Sequence, residues 1–277
     1  MARSAPGWVK GCAVGCGDAF VLFLGVLALG YLFVKGTIDD FDRADAAIST
    51  VENKFGPVIA FKPAPGGIIP AERMEAFLEA RELTAESRAV LQDSLEFLSV
   101  DESEISLVIE GFKLPGLITE FVTLHNDALL QVGMGHGEYH YIYTLAYYSL
   151  LGHSPADGPS FQLVGENGYV LETLEPVEEP VVRERREEMV RRGVNRLTLP
   201  ALGNALTDPT VIDDSEMARW RATLETEIAA MEADPLRIPW QDGIPESLEA
   251  SILPYRERLE DSYDPMTSAL EVGILRR

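Results

Sequence analysis

Hydrophobic side chains recur at spacings of three and four residues along most of the chain, a pattern typical of helices that bury one face. Helix signals are many and strand signals are few, so the sequence predicts an all-α fold. The signals place helices over about 38–55, 71–82, 117–132, 136–151, 180–192 and 265–275, and further helices that begin at Thr84, Asp101, Asp214 or Ser215, and Pro245.

Two of the predicted helix boundaries depend on helix-breaking residues. Pro115 and Gly116 are expected to separate the helix over 117–132 from a preceding one, because proline lacks the backbone N–H that a helix interior needs. Gly193 is expected to end the charged helix that Pro180 opens. The helix that begins at Thr84 carries four aliphatic side chains, namely Val90, Leu91, Leu95 and Leu98.

One segment departs from the helical pattern. Asn167 and Gly168 lie between apolar residues of 161–174, which predicts one small β-hairpin, with a continued helix as the alternative. The predicted organisation is a short N-terminal tail over 1–10, an apolar segment over 11–35, and two helical halves, 36–155 and 156–277, which are separate or form one domain.

Residues 11–34 are almost wholly apolar and carry a single charge, Asp18. As a helix they would be about 36 Å long, which exceeds the ~30 Å hydrocarbon core of a bilayer. Asp18 costs at most about 3 kcal/mol, and less near an interface, so the apolar residues outweigh it. We therefore predict a single transmembrane anchor. A cleaved signal peptide is the alternative, but apolar residues continue past the nearest cleavage-like sequence, 28–30.

The residues that flank the anchor indicate its orientation. Arg3 and Lys10 precede it, and Lys35 and Arg43 follow it. A short basic N-terminal flank favours an N-terminus in the cytoplasm. The prediction is therefore a single-pass protein of the cell membrane whose acidic domain lies outside the cytoplasm. The lipid bilayer is its predicted partner through residues 11–34.

Acidic residues dominate the predicted helical domain. The chain has a formal net charge of −22, with 45 Asp and Glu against 23 Lys and Arg. Such a field repels phosphate backbones, which excludes nucleic acid as a partner. Both cysteines, Cys12 and Cys16, lie in the first 16 residues, so the sequence predicts neither disulfides nor cysteine-bound metal in the domain.

The histidines form the one constellation with predicted chemistry, and all four lie between residues 125 and 153. His136 and His140 are four residues apart on a predicted helix and can reach one metal ion, and His125 joins them if the preceding helix packs alongside. The alternative is structural: five tyrosines between 139 and 148 need hydrogen-bond partners, which buried histidines and acids supply. The sequence HGEYH at 136–140 is not the H-E-x-x-H motif of zinc proteases.

The sequence contains no serine-hydrolase elbow, Walker loop or dinucleotide fingerprint, which disfavours an enzyme. The leading hypothesis is a membrane-anchored cell-envelope protein that acts as a protein-binding or scaffold module, with a protein partner in the envelope and no cofactor. The alternative is a membrane-tethered metal-binding protein or metalloenzyme with a divalent metal on His125, His136 and His140. A third hypothesis, a carrier of apolar ligands, places the ligand beside Tyr143 and Tyr147.

Overall fold

The computed structural model describes residues 42–100, 104–159, 179–207 and 215–273. All regular elements in these ranges are helical, which confirms the all-α class. No helix in the same ranges is both long and apolar enough to cross a bilayer. The predicted anchor and the predicted hairpin both lie outside the described residues.

The described elements are all helical. In chain order they are α1 over 42–55, α2 Ala71–Leu83, α3 Ala85–Val100, α4 Glu104–Val132, α5 His136–Tyr143, α6 Glu179–Leu206, α7 Ser215–Ala233, α8 Glu246–Ile252, α9 Arg256–Ser262 and α10 Ser268–Gly273. The helix α5 continues as a π-helical stretch, Thr144–Leu150. Short 3₁₀ turns occur at Val58–Ala60, Pro65–Gly67 and Leu253–Tyr255. Ala44–Arg277 is one compact unit.

The boundary predicted at Pro115 and Gly116 is wrong, because α4 runs through both residues. Leu114 and Phe121 flank them and are fully buried, and α4 packs along both α2 and α3. The Thr119 hydroxyl donates a hydrogen bond to the Pro115 carbonyl oxygen, 2.7 Å away. Burial of an apolar face along this helix thus outweighs the backbone hydrogen bond that proline removes.

The end predicted at Gly193 is wrong for the same reason. The helix α6 continues through Gly193 and Pro200 to Leu206. A helical glycine costs about 1 kcal/mol relative to alanine, which is less than the burial of a single large aliphatic side chain contributes. The buried stripe of α6 passes the glycine without a break and consists of Val190, Val194, Leu197 and Ala201.

The helix α5 lies at the centre of the main core. Every residue of α5 except Glu138 is buried, and so is the first part of its π-helical continuation. The helices α2 and α6 and the turn Val58–Ala60 pack on α5. A helix enclosed in this way must find partners for its polar side chains inside the protein. A smaller cluster joins α1, α3, α4 and α10 through Ala44, Leu91, Leu95, Phe121 and Leu270.

Two glycines allow the chain before α2 to approach α5 closely. A Cβ on Gly137 would lie 2.4 Å from the carbonyl oxygen of Val58 and 2.5 Å from the Cβ of Phe61. A Cβ on Gly135 would lie 2.7 Å from the Cβ of Phe55. Side chains cannot sit that close without a shift of their neighbours, so this packing depends on the missing Cβ atoms.

Replacement of Gly137 with alanine is expected to lower the free energy of unfolding by about 1–3 kcal/mol, because the added methyl group pushes α5 away from the turn Val58–Ala60. The matched control is Gly116→Ala in α4, where no atom lies within 4 Å of an added Cβ. The control is expected to gain up to about 1 kcal/mol from helix propensity. Urea denaturation measures both variants, and equal stability of the two would contradict the steric role of Gly137.

Candidate functional site

The three histidines predicted as metal ligands all lie in the core, but their surroundings differ. At most 3% of each residue is exposed. The ring of His125 stands edge-on to the ring of Tyr139, with 4.6 Å between centroids. The Nε2 atom of His136 lies 2.6 Å from the side-chain oxygen of Asn126. The Nε2 atom of His140 has no hydrogen-bond partner in the protein.

The hydrogen bond to Asn126 determines the tautomer of His136. The amide nitrogen of Asn126 donates to the Val122 carbonyl oxygen at 2.7 Å, so its oxygen faces His136 and accepts the Nε2 proton. The Nδ1 atom of His136 therefore keeps a lone pair, and no protein donor reaches it. In the part of the chain that the structure describes, no group of three or more His, Cys, Asp or Glu is placed to hold a metal ion. The three-histidine metal site, with His125, has no support from this geometry and stays a prediction.

Burial favours the neutral form of all four histidines. Removal from water lowers the pKa of His125 and His140 to about 3 and the pKa of His136 to about 4. The same cause lowers the pKa of His153, whose ring stacks on Tyr263 with 3.7 Å between centroids. Protonation of these rings therefore opposes folding.

A fully buried ion pair joins α2 to α10. Arg81 Nη1 lies 2.5 Å from Glu271 Oε2, and neither side chain is exposed. The Tyr139 hydroxyl accepts a hydrogen bond from Arg81 and donates one to Glu271, each at 2.8 Å. Arg81 also donates to the carbonyl and hydroxyl oxygens of Ser262. Arg88 adds a second cation, with its Nε 3.4 Å from Glu271 Oε1. We call these five residues the Arg81–Glu271 network.

The charges of this network interact with one another and with aromatic rings rather than with water. Burial alone would raise the pKa of Glu271, but Arg81 and Arg88 outweigh it and lower the pKa to about 2. The guanidinium carbon of Arg81 lies 4.9 Å from the ring centroid of Tyr147 and 5.4 Å from that of Tyr143, where aromatic faces stabilise a cation. Glu271 therefore stays ionised inside the core.

Sequence reasoning does not find the Arg81–Glu271 network. Arg81 carries a signal, because it shares the inward stripe of α2 with Met74 and Phe77, which are fully buried. Glu271 carries none, because it is one of 45 acidic residues and lies 190 positions from Arg81. The pair is thus visible only once α2 and α10 are placed together.

The helix α3 buries Arg88 on the same side as its leucines. Leu91, Leu95 and Leu98 are buried, whereas Val90 is 48% exposed. The Nη2 atom of Arg88 donates to the Arg81 carbonyl oxygen at 3.1 Å and to the Thr84 hydroxyl at 2.8 Å. These bonds, with the attraction of Glu271, hold Arg88 inside.

Two apolar side chains, one of them Val90, are exposed on the opposite side of α3. Phe97, two turns after Val90, is 41% exposed. The acidic side chains of Glu86, Asp93 and Glu96 lie exposed on the same side. We call these five residues the outer face of α3. Apolar groups ringed by acids can pack against apolar groups of a partner while the acids attract its cations.

Comparison with known proteins adds no family to this description. The chain matches no known protein family model, no curated protein and no solved structure. The buried polar core and the outer face of α3 are the two features of the structure from which a function can be inferred.

Removal of one partner of the buried ion pair is expected to be severe. Arg81→Met leaves Glu271 with only the longer contact to Arg88, and Glu271→Gln leaves two buried cations without an anion. Each change is expected to cost about 3–5 kcal/mol, and the double variant is expected to lose less than the sum. The exposed pair of Arg192 and Glu188, with 2.6 Å between Nη2 and Oε1, is the matched control. Glu188→Gln is expected to cost at most about 1 kcal/mol. Denaturant titration measures all four variants, and similar losses at both pairs would contradict the structural role of the network.

Acid is expected to destabilise the fold before its carboxylates titrate. Below a pH of about 6.5 the unfolded chain protonates its histidines, whereas the folded chain excludes those protons until the pH nears 4 at His136 and 3 at His125 and His140. The free energy of unfolding therefore falls as the pH falls through this window, by up to about 1.4 kcal/mol per pH unit for each histidine. Loss of the Glu271 contribution follows only between its ordinary pKa of 4.5 and about 2.

The measurement is urea denaturation at a series of pH values, with His140→Gln beside the natural chain. The variant is expected to show a shallower dependence by about one proton, because one protonation of the unfolded chain is removed. An unfolding free energy that stays constant from a pH of about 7 to about 5 would show that the histidines are not held neutral.

Proposed function

We propose that this chain is a membrane-anchored protein-binding module of the cell envelope, and that the outer face of α3 binds a cationic, amphipathic segment of another protein. The observation that carries the proposal is the position of Val90 and Phe97, two large apolar side chains that stand in water among acids. They lie on the side of α3 opposite the buried residues Leu91 and Leu95.

The spacing and charge of the outer face fit a helical partner. Val90 and Phe97 are seven residues apart, about 10.5 Å along the helix axis, so a second helix can meet both with apolar residues two turns apart. Glu86, Asp93 and Glu96 supply negative charge beside these anchors, which complements lysine or arginine on the partner. Full burial of each anchor contributes about 1.5–3 kcal/mol, which supports a transient complex rather than a permanent one.

The apolar segment 11–34 determines where such a complex forms. As a transmembrane anchor with its N-terminus in the cytoplasm, it would hold the acidic domain outside the cytoplasm and close to other envelope proteins. Tethering raises the effective concentration of both partners and so compensates for a modest contact area. Anionic headgroups repel the acids of α3, which favours a protein over the bilayer as the bound surface.

A photoreactive residue in place of Val90 or Phe97 is expected to crosslink to one and the same envelope protein in membranes of the native host. Reversal of charge by Asp93→Lys and Glu96→Lys is expected to reduce the adduct at least about tenfold, because cationic partners are then repelled. Carbonate extraction of the same membranes is expected to leave the chain in the membrane fraction.

Matched controls are available elsewhere on the surface. Leu253 is 45% exposed on a different element, and a photoreactive residue there is expected to give no such adduct. Glu249→Lys changes an exposed acid of α8 and is expected to leave crosslinking at position 90 unchanged. Equal adducts at 90, 97 and 253, or indifference to charge reversal at α3, would overturn the binding surface. Release of the chain by carbonate would overturn only the anchor.

A further inference from the structure

Polar atoms along one side of α5 have no partners within the protein. In the described chain, His136 Nδ1, His140 Nε2, Tyr141 Oη and Thr144 Oγ1 are buried, and no protein atom is placed to form a hydrogen bond with them. Successive spacings of four, one and three residues put these side chains on neighbouring turns of one side of the helix. Thr198 Oγ1, buried in α6, lacks a partner as well, and α6 packs against α5.

Two tyrosines of the same helical segment are paired. Tyr139 exchanges hydrogen bonds with Arg81 and Glu271. The hydroxyl of Tyr147 lies 2.7 Å from the hydroxyl of Ser262. The hydroxyls of Tyr143 and Tyr148 have no such partner. The four unpaired atoms named above take no part in the hydrogen bonds of the Arg81–Glu271 network.

Such a concentration of unpaired groups is costly in a folded protein. A buried hydroxyl or imidazole without a partner has lost its hydrogen bonds to water, and a few such losses equal much of the net stability of a domain. In native proteins, buried groups of this kind form hydrogen bonds with ordered water or with bound ligands. The π-helical stretch that begins at Thr144 agrees with this interpretation, because π-helical turns recur at functional sites.

We infer that the packing of α5 on α6 binds a small, uncharged, hydrogen-bonding molecule, which is either ordered water or one polar organic ligand. We call its five residues the α5–α6 site: His136, His140, Tyr141, Thr144 and Thr198. None of them is an acid, a lysine or an arginine, so the site has no fully charged side chain to pair with an ion. Both histidines are neutral, since burial lowers their pKa.

The pattern of hydrogen-bond donors and acceptors further restricts the chemical class of the ligand. His136 Nδ1 offers a lone pair and therefore needs a donor, whereas the hydroxyls of Tyr141, Thr144 and Thr198 can both donate and accept. Hydroxyls are the majority, which suits a neutral polar molecule better than the metals that imidazole prefers. The inference is independent of the proposed binding at the outer face of α3.

Near-isosteric substitutions decide between a bound molecule and atoms that are simply unpaired. Thr144→Val and Thr198→Val each remove one hydroxyl and keep the branched shape. If a molecule bridges the two hydroxyls, each variant is expected to lower the urea denaturation midpoint, and the double variant is expected to lose less than the sum. If nothing is bound, each variant raises the midpoint, because an unpaired buried hydroxyl is removed. That result would overturn the inference, and strictly additive losses would do the same.

Thr119→Val is the matched control. Its hydroxyl is also buried but has a known partner, the Pro115 carbonyl oxygen at 2.7 Å. The variant measures how much stability is lost when one paired hydroxyl is removed. Its effect on stability is expected to add to that of Thr144→Val. Coupling of equal size between Thr119→Val and Thr144→Val would show a general loss of packing rather than a shared bound molecule.

Native mass spectrometry and water NMR identify the bound molecule. The natural chain, purified from its native host, is compared with Thr144→Val. A stoichiometric adduct that the variant lacks identifies an organic ligand. Long-lived internal water in the NMR spectra, reduced in the variant and without an adduct, identifies ordered water. The absence of both adduct and internal water would overturn the inference.

Discussion

The buried contact between Arg81 and Glu271 is the interaction on which the arrangement of the helices depends. It ties α2 to α10 across 190 residues of sequence, and it reaches α5, α9 and α3 through Tyr139, Ser262 and Arg88. Two charges so far from water add little net stability as a pair, but each alone is costly. A packing that separated them would be strongly disfavoured. We interpret the pair as a device that selects this arrangement over other compact arrangements of the same amphipathic helices.

The network also determines which polar side chain α3 places in the core. Arg88 lies on the buried side of α3 together with Leu91 and Leu95, whereas Val90 and Phe97 lie on the opposite side and are exposed. The helix α3 therefore supplies a cation to the core and presents acids and two apolar side chains to solvent.

Local sequence patterns predict a helix well where the residues of the segment itself determine that it is helical. The predicted helix over 71–82 is α2, Ala71–Leu83, and the predicted helix over 136–151 matches α5 with its π-helical continuation. Both begin at residues that permit helix entry, Pro70 and Gly135, and both follow the apolar pattern.

Predictions from the sequence fail where contacts with distant parts of the chain determine the local structure. Pro115 and Gly193 are predicted to end helices, but tertiary burial on both sides keeps α4 and α6 continuous. The burial of Arg88 could not be predicted, because a sequence cannot show that Arg88 meets Glu271.

The two proposed binding regions are linked through the Arg81–Glu271 network. Arg88 belongs to α3 and to the network, and Tyr139 belongs to α5 and to the network. The hydrogen bonds of Tyr139 and Ser262 surround the ion pair, so separation of these helices would leave buried charges without partners. The proposed binding at α3 would therefore occur on a helix that the network holds on its inner side. The molecule proposed at the α5–α6 site would lie among buried helices of the same core, and it would exchange with solvent when that core opens locally.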